Sequence, residues 1–375
     1  MESNVRLSFV DNLRTVLTCL VVLHHVAVTY SGLGTWYYTE KPTSAAVGLG
    51  LTVLLMVDQA WFMGAFFLLS GYFTPASYDR KGAHAFLRDR VIRLGIPLVV
   101  CCFVVSPVLL IGRYPEGSPL DGYLSAIGPG PLWFVLVLLA LDVGYTLARR
   151  VTRRRPAQVA AATGVDEVFP IVPPASPAFR AVASLVAGLA LVTYAWRIVV
   201  PIGFWVPVVG LPTAAYLPQY LGFFAVGTIA YRRGWLHAVT ARMGAAGLGL
   251  VVGATLVLLP LSLAAGPAAM VGRGTLNSLC YALWDSSVAV GACLALLALF
   301  RSRFDGTGPL RHFLSQHTYA VYVSHAIVVT AVGHVLGDVA VPTLAKVGAA
   351  GLVALPACFA FAGLLRRLPS VRHVL

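Results

Sequence analysis

Charge is what this sequence has least of. Only 11% of its 375 residues are Asp, Glu, Lys or Arg, against roughly a quarter in an ordinary globular chain. So few charges could not cover the surface of a water-soluble fold of this length, which excludes one or two soluble domains. Acidic residues are scarcest, at 14. The six cysteines (Cys19, Cys101, Cys102, Cys280, Cys293 and Cys358) all lie in apolar runs and form no CxxC pair, so they read as small core residues and give no disulfide framework or metal set. A cleavable signal peptide is also missing, because Arg6, Asp11 and Arg14 lead into the first apolar run without a small-residue cleavage site. There is no internal repeat of the kind many transporters carry.

What is present is apolar sequence, 58% of the chain, in long runs such as Leu17–Val28, Leu98–Leu110, Leu132–Leu141 and Leu248–Leu263. Repeated runs of this kind are helices that face lipid or one another. Ten spans are predicted: 10–31, 48–74, 94–112, 130–148, 180–199, 216–232, 243–263, 277–300, 317–337 and 343–364. With the N-terminus inside, twenty-two of the 27 Lys and Arg residues fall on the cytoplasmic side. The other five, Lys41, Arg113, Arg197, Arg273 and Lys346, fall outside. That asymmetry sets the orientation and accounts for the formal charge of +13 without nucleic acid. The expectation is an all-α integral membrane protein: one bundle of about ten transmembrane helices, both termini cytoplasmic, in a bacterial-type inner membrane. It forms a single domain over 1–375. Within it, 149–179 reads as a flexible basic loop beside anionic headgroups, from its ArgArg and ArgArgArgPro clusters and its ProProAlaSerPro stretch.

Ionisable residues inside such spans are costly and mark function. Arg14 and His25 are eleven residues apart, which on an α-helix is about 20° from eclipsed and roughly 16 Å along the axis. One face therefore presents a cation near the cytoplasmic mouth and an imidazole deeper in the membrane. His24 points about 100° away and takes a structural or supporting role. On the second span, Asp58 either orients a histidine, neutralises an arginine or packs as a buried polar residue. Arg90 and Arg93 share a helix face at a membrane mouth and suit phosphate, though inside-positive charge alone explains either one. Asp285 and His325 are the remaining candidates for a polar network, and Tyr319 and Tyr322, three apart, for a cavity lining. A proton-coupled transporter or exporter would use the same Asp, Arg and His residues.

Several motifs, in order, resemble the membrane-bound acyltransferase 3 family. They are Asp11-Asn-Leu-Arg14 followed by His25; Phe66-Phe-Leu-Leu-Ser-Gly-Tyr-Phe73; Phe86-Leu-Arg-Asp-Arg90-Val-Ile-Arg93; Gly130-Pro-Leu-Trp-Phe134; Tyr216–Leu236; and Ser315–His325. The branch is similar to the glucan-modifying, periplasmic-glucan succinyltransferase-like members. One departure stands out: many members have a histidine directly before Leu-Trp-Phe, where this chain has Pro131. The fused periplasmic hydrolase-like domain of some members is also not expected.

The resemblance implies a ten-helix fold that moves an acetyl or succinyl group from cytoplasmic acyl-CoA to a hydroxyl of a carbohydrate or glycan. It makes His25 catalytic and Arg14 its motif partner. The mechanism that the residues suggest has His25 as general base, with Asp58 or Asp285 orienting the ring and the choice between them open. Arg14, Arg90 and Arg93 would hold the CoA phosphates, with Trp133 and Tyr72 as further donor contacts. His24, Tyr322 and His325 are assigned to the acceptor. No metal is expected. A covalent acyl-enzyme through Ser70 or Ser324 is disfavoured, because spacing guarantees neither a neighbouring histidine.

Overall fold

The computed structural model describes residues 7–34, 36–114, 118–163, 177–206 and 210–375. Among the described residues nine long helices carry the fold: α1 (Ser8–Tyr30), α2 (Ala45–Arg90), α3 (Trp133–Thr163), α4 (Phe179–Val199), α5 (Leu217–Arg232), α6 (Ala241–Leu263), α7 (Leu276–Arg303), α8 (Pro309–Gly337) and α9 (Thr343–Leu365). No strand occurs among the described residues, only an isolated bridge between Val206 and Leu211. Eight helical stretches among them are long and apolar enough to cross a membrane. Their outward faces carry side chains such as Leu352, Val335 and Leu256, which suit lipid rather than water. This is the architecture of an integral membrane protein.

The count of eight differs from ten at two places. First, the stretch Ala45–Leu109 is continuous helix by hydrogen bonding, yet the chain reverses inside it. Gly82 has φ 74° and ψ 166°, a conformation that glycine reaches without strain. A straight helix would hold Thr74 and Arg90 about 24 Å apart. Instead both reach one carboxylate: the Thr74 hydroxyl donates to Oδ1 of Asp142 at 3.1 Å, and Arg90 Nε lies 3.0 Å from Oδ2. The Phe86 and Tyr78 rings also meet, at 5.7 Å. Second, α5 has 16 residues, too few to count as a span by length. It nevertheless runs alongside the first half of α2 in the same direction, from the Gln59–Tyr220 contact to the Tyr72–Tyr231 contact. The two backbones touch there. A Cβ on Gly71 would sit 2.2 Å from the Phe224 carbonyl oxygen, and one on Gly227 2.2 Å from that of Leu68, so only glycine fits at this crossing.

Pro97 and Pro107 lie within the returning half, which widens into π-helical turns at Val91–Gly95 and Cys101–Val105. Each proline lacks an N–H and so frees the carbonyl four residues earlier. Both freed groups find tyrosines: the Tyr319 hydroxyl donates to the Arg93 carbonyl at 2.5 Å, and that of Tyr123 to the Phe103 carbonyl at 3.0 Å. Helix α3 continues to Thr163, into the stretch expected as a flexible loop. Its alanines and arginines favour helix. Residues 164–176 of that stretch lie outside the described residues.

Helices α1 and α8 run parallel in near-constant register. The Asp305 carboxylate, just before α8, accepts from the Phe9 amide at 3.1 Å, capping α1 where Leu7 makes no side-chain hydrogen bond; His25 then meets His325, sixteen residues on from Phe9 and twenty from Asp305. Helix α1 threads between two apolar clusters, burying Val21 in one with Phe67, Val135 and Tyr220, and Val22 in the other with Trp36, Val321 and Ala354. His24 and His25 follow on this helix, stacked on Phe62 of the first cluster and Trp36 of the second.

Candidate active site

His25 is held on three sides. Its Nδ1 lies 2.9 Å from the carbonyl oxygen of Val21, one turn earlier on α1, and 3.2 Å from Nε2 of His325 on α8. Nδ1 of His325 lies 2.6 Å from the Tyr322 carbonyl oxygen. The indole of Trp36, from the connection between α1 and α2, stacks on the imidazole of His25 at 4.1 Å with 28° between planes.

These distances fix the tautomers. A carbonyl oxygen can only accept, so the Nδ1 atoms of His25 and His325 both carry hydrogen. When both rings are neutral, Nε2 of His325 is a lone pair facing the Nδ1–H of His25. Nε2 of His25 keeps its own lone pair, and no described residue hydrogen-bonds to it. The arrangement presents an oriented, partly exposed acceptor atom, which is what a general base requires.

His24 faces elsewhere, as helical phase dictates. Its Nδ1–H donates to Oδ2 of Asp58 at 3.3 Å and its ring stacks on Phe62 at 4.9 Å. The two histidine rings meet edge to face at 5.5 Å. Asp58 thus orients His24 and not His25.

Asp285, expected as one of two candidates to orient His25, is engaged by Arg197. Its Oδ2 accepts from Nη2 of Arg197 at 2.6 Å, with both side chains enclosed. The guanidinium also lies over the rings of Tyr216 and Tyr281, at 4.7 and 5.2 Å. Arg197 belongs to the bundle interior and is not an outer-loop charge. A cation with no water needs a carboxylate partner, and Asp285 is that partner.

The arginines expected to hold the donor are partly committed. Arg90 pairs with the buried Asp142, whereas Arg93, with a side chain 60% exposed, lies 3.3 Å from Asp89. Arg14 is exposed, lies 5.9 Å from the Phe73 ring centre and is within electrostatic range of Arg90. Tyr72 and Trp133 are buried in the packing, against Tyr231 and Tyr220 respectively. Tyr322 donates its hydroxyl to the Pro131 carbonyl at 2.5 Å, so it bolts α8 to the residue that replaces the histidine of the resembled motif. Sequence reasoning missed Asp142 as the partner of Arg90, and it missed Trp36, whose one signal was its place in an aromatic Trp36-Tyr37-Tyr38 stretch between spans. No group of three or more His, Cys, Asp or Glu residues among the described residues is placed to hold a metal.

The acyltransferase domain family matches residues 7–363. This chain belongs to the acyltransferase 3 family. Among known proteins it is similar to "Glucans biosynthesis protein C" of Escherichia coli O1:K1 / APEC and of Escherichia coli strain K12 / DH10B. In each case it is 28% identical over 144 residues, 36% of this chain and 36% of the relative. The matched stretch therefore spans about a third of those relatives. No solved structure matches the chain. The expected family membership is borne out over residues 7–363.

Proposed function

We propose that this acyltransferase takes an acetyl or succinyl group from cytoplasmic acyl-CoA and transfers it to a hydroxyl of a carbohydrate or glycan, with Nε2 of His25 as general base. The observation that carries this reading is the pinned His25 ring, with Nδ1–H engaged and Nε2 open. The acceptor hydroxyl attacks the thioester carbonyl carbon and forms the new C–O bond. His25 takes the hydroxyl proton, the C–S bond breaks, and the imidazolium returns that proton to the leaving thiolate. His325 receives a hydrogen bond from Nδ1–H throughout, so it favours the imidazolium as it forms. Arg14 and Arg93, both exposed, are the cations best placed to meet CoA phosphates. A carbohydrate acceptor is supported by the printed name of the relatives, which refers to glucans.

The same reading places ten crossings in the membrane with both termini cytoplasmic. Its support is the chain reversal at Gly82, the course of α5 beside α2 and the lopsided distribution of Lys and Arg. The deciding experiment is His25→Ala in purified protein supplied with radiolabelled acetyl-CoA or succinyl-CoA and a glucan acceptor. Acyl transfer should disappear while the protein stays folded and monodisperse. Undiminished transfer by that variant would overturn the proposal.

A further inference from the structure

One buried donor beside His25 has no partner. The indole Nε1 of Trp36 is shut off from water and bonds to nothing, although the residue is only 8% exposed. A buried donor left unpaired loses its hydration without a replacement bond, so its setting calls for a reason. The imidazole of His25 cannot satisfy it. The N–H lies in the indole plane, and the two planes are stacked within 28° of each other, so the bond points past the imidazole and not into it. Nor is the side chain loosely placed. Nη1 of Arg113 donates to the Trp36 carbonyl at 2.7 Å and Nη2 to the Thr39 hydroxyl at 2.8 Å. Further along the same connection, Glu40 accepts from Lys346 at 2.7 Å and its amide donates to the Thr29 carbonyl at 2.9 Å. The connection is tied at both ends of this short stretch, which holds the indole against the imidazole.

We infer that the Trp36 N–H is a catalytic hydrogen-bond donor to the acyl carbonyl oxygen of the thioester. This rests on His25 being the base, as proposed above. The indole lies 4.1 Å from the imidazole, centre to centre, so an acyl group that reaches Nε2 of His25 comes next to the ring that carries this N–H. When the acceptor oxygen attacks, the carbonyl π pair moves onto oxygen. The resulting oxyanion accepts from Trp36 until it re-forms the carbonyl and expels the thiolate. A donor fixed in place and sheltered from water needs no reorganisation at that moment, which is where such groups are most effective. Stacking alone would be served by phenylalanine or tyrosine. The indole contributes a donor in addition.

The test compares wild type, Trp36→Phe and His25→Ala in single-turnover and steady-state assays with acetyl-CoA or succinyl-CoA and a glucan acceptor. Replacing Trp36 with 3-benzothienylalanine provides a second variant that keeps both rings and swaps N–H for sulfur, should the smaller phenyl ring unsettle the fold. Loss of one oxyanion donor is expected to lower kcat by about a hundredfold, with KM for acyl-CoA within a few-fold of wild type and thermal stability retained. A benzothienyl variant with kcat within threefold of wild type, alongside an inactive His25→Ala, would overturn this assignment and leave the base intact. An active His25→Ala would overturn both.

Discussion

Nε2 of His325 lies 3.2 Å from Nδ1 of His25, joining two helices whose residues are 300 positions apart. The contact follows from the parallel register of α1 and α8, which begins at the Asp305 cap of α1. Under the proposed mechanism, this contact makes His325 a positioning residue for His25.

His325→Ala should therefore lower kcat by roughly tenfold, far less than the 10²–10⁴-fold typical of losing a general base outright. The Val21 carbonyl still holds Nδ1–H in that variant. KM for acyl-CoA should not move. Steady-state kinetics of both histidine variants will check this; equal losses at the two positions would make His325 a reacting group.

Asp285→Asn and Arg197→Leu should act on folding rather than chemistry. Each leaves a charge enclosed without its partner, a change that costs about 3–5 kcal/mol. Thermal unfolding in detergent should show a lower Tm for both, and the double variant Arg197→Leu/Asp285→Leu should recover part of it. A stable Asp285→Asn protein with a selectively reduced kcat would contradict the structural role.

The α2–α5 crossing sets a steric limit. Gly71→Ala or Gly227→Ala places a methyl group 2.2 Å from a backbone oxygen, and backbone cannot swing aside as a side chain can. A loss of about 1–3 kcal/mol is expected, the usual range for overpacking. Differential scanning fluorimetry of purified variants measures it. Gly188→Ala, on α4, where a Cβ meets nothing within 4 Å, serves as the neutral comparison.

Arg93 and Arg90 should separate cleanly. Arg93→Ala removes an exposed cation and should raise KM for acyl-CoA several-fold, with stability little changed. Arg90→Ala strips Asp142 of its cation and should lower Tm. Binding of CoA by isothermal titration, read beside thermal melts, distinguishes them; if Arg93→Ala binds CoA as wild type does, Arg93 does not hold the phosphates.

The sequence by itself determined the class of molecule. Its few charges and long apolar runs admit helices in lipid and little else, because lipid offers backbone groups no hydrogen bonds. Helical phase separated His25 from His24, since both lie on one helix whose geometry is local. The partners were a different matter. Asp58 could have oriented either histidine, and only the packing of α2 on α1 gave it to His24. Asp285 looked like a candidate for the site until Arg197 proved to be buried beside it. Such pairings depend on which helices touch and in which register, and no local period encodes that. Trp36 carried no periodic signal, lying between spans, and the connection that holds it on His25 is tied by Arg113 to the Trp36 carbonyl and by Lys346 to Glu40. The helices were legible residue by residue, but the company kept by His25 was decided by tertiary contact.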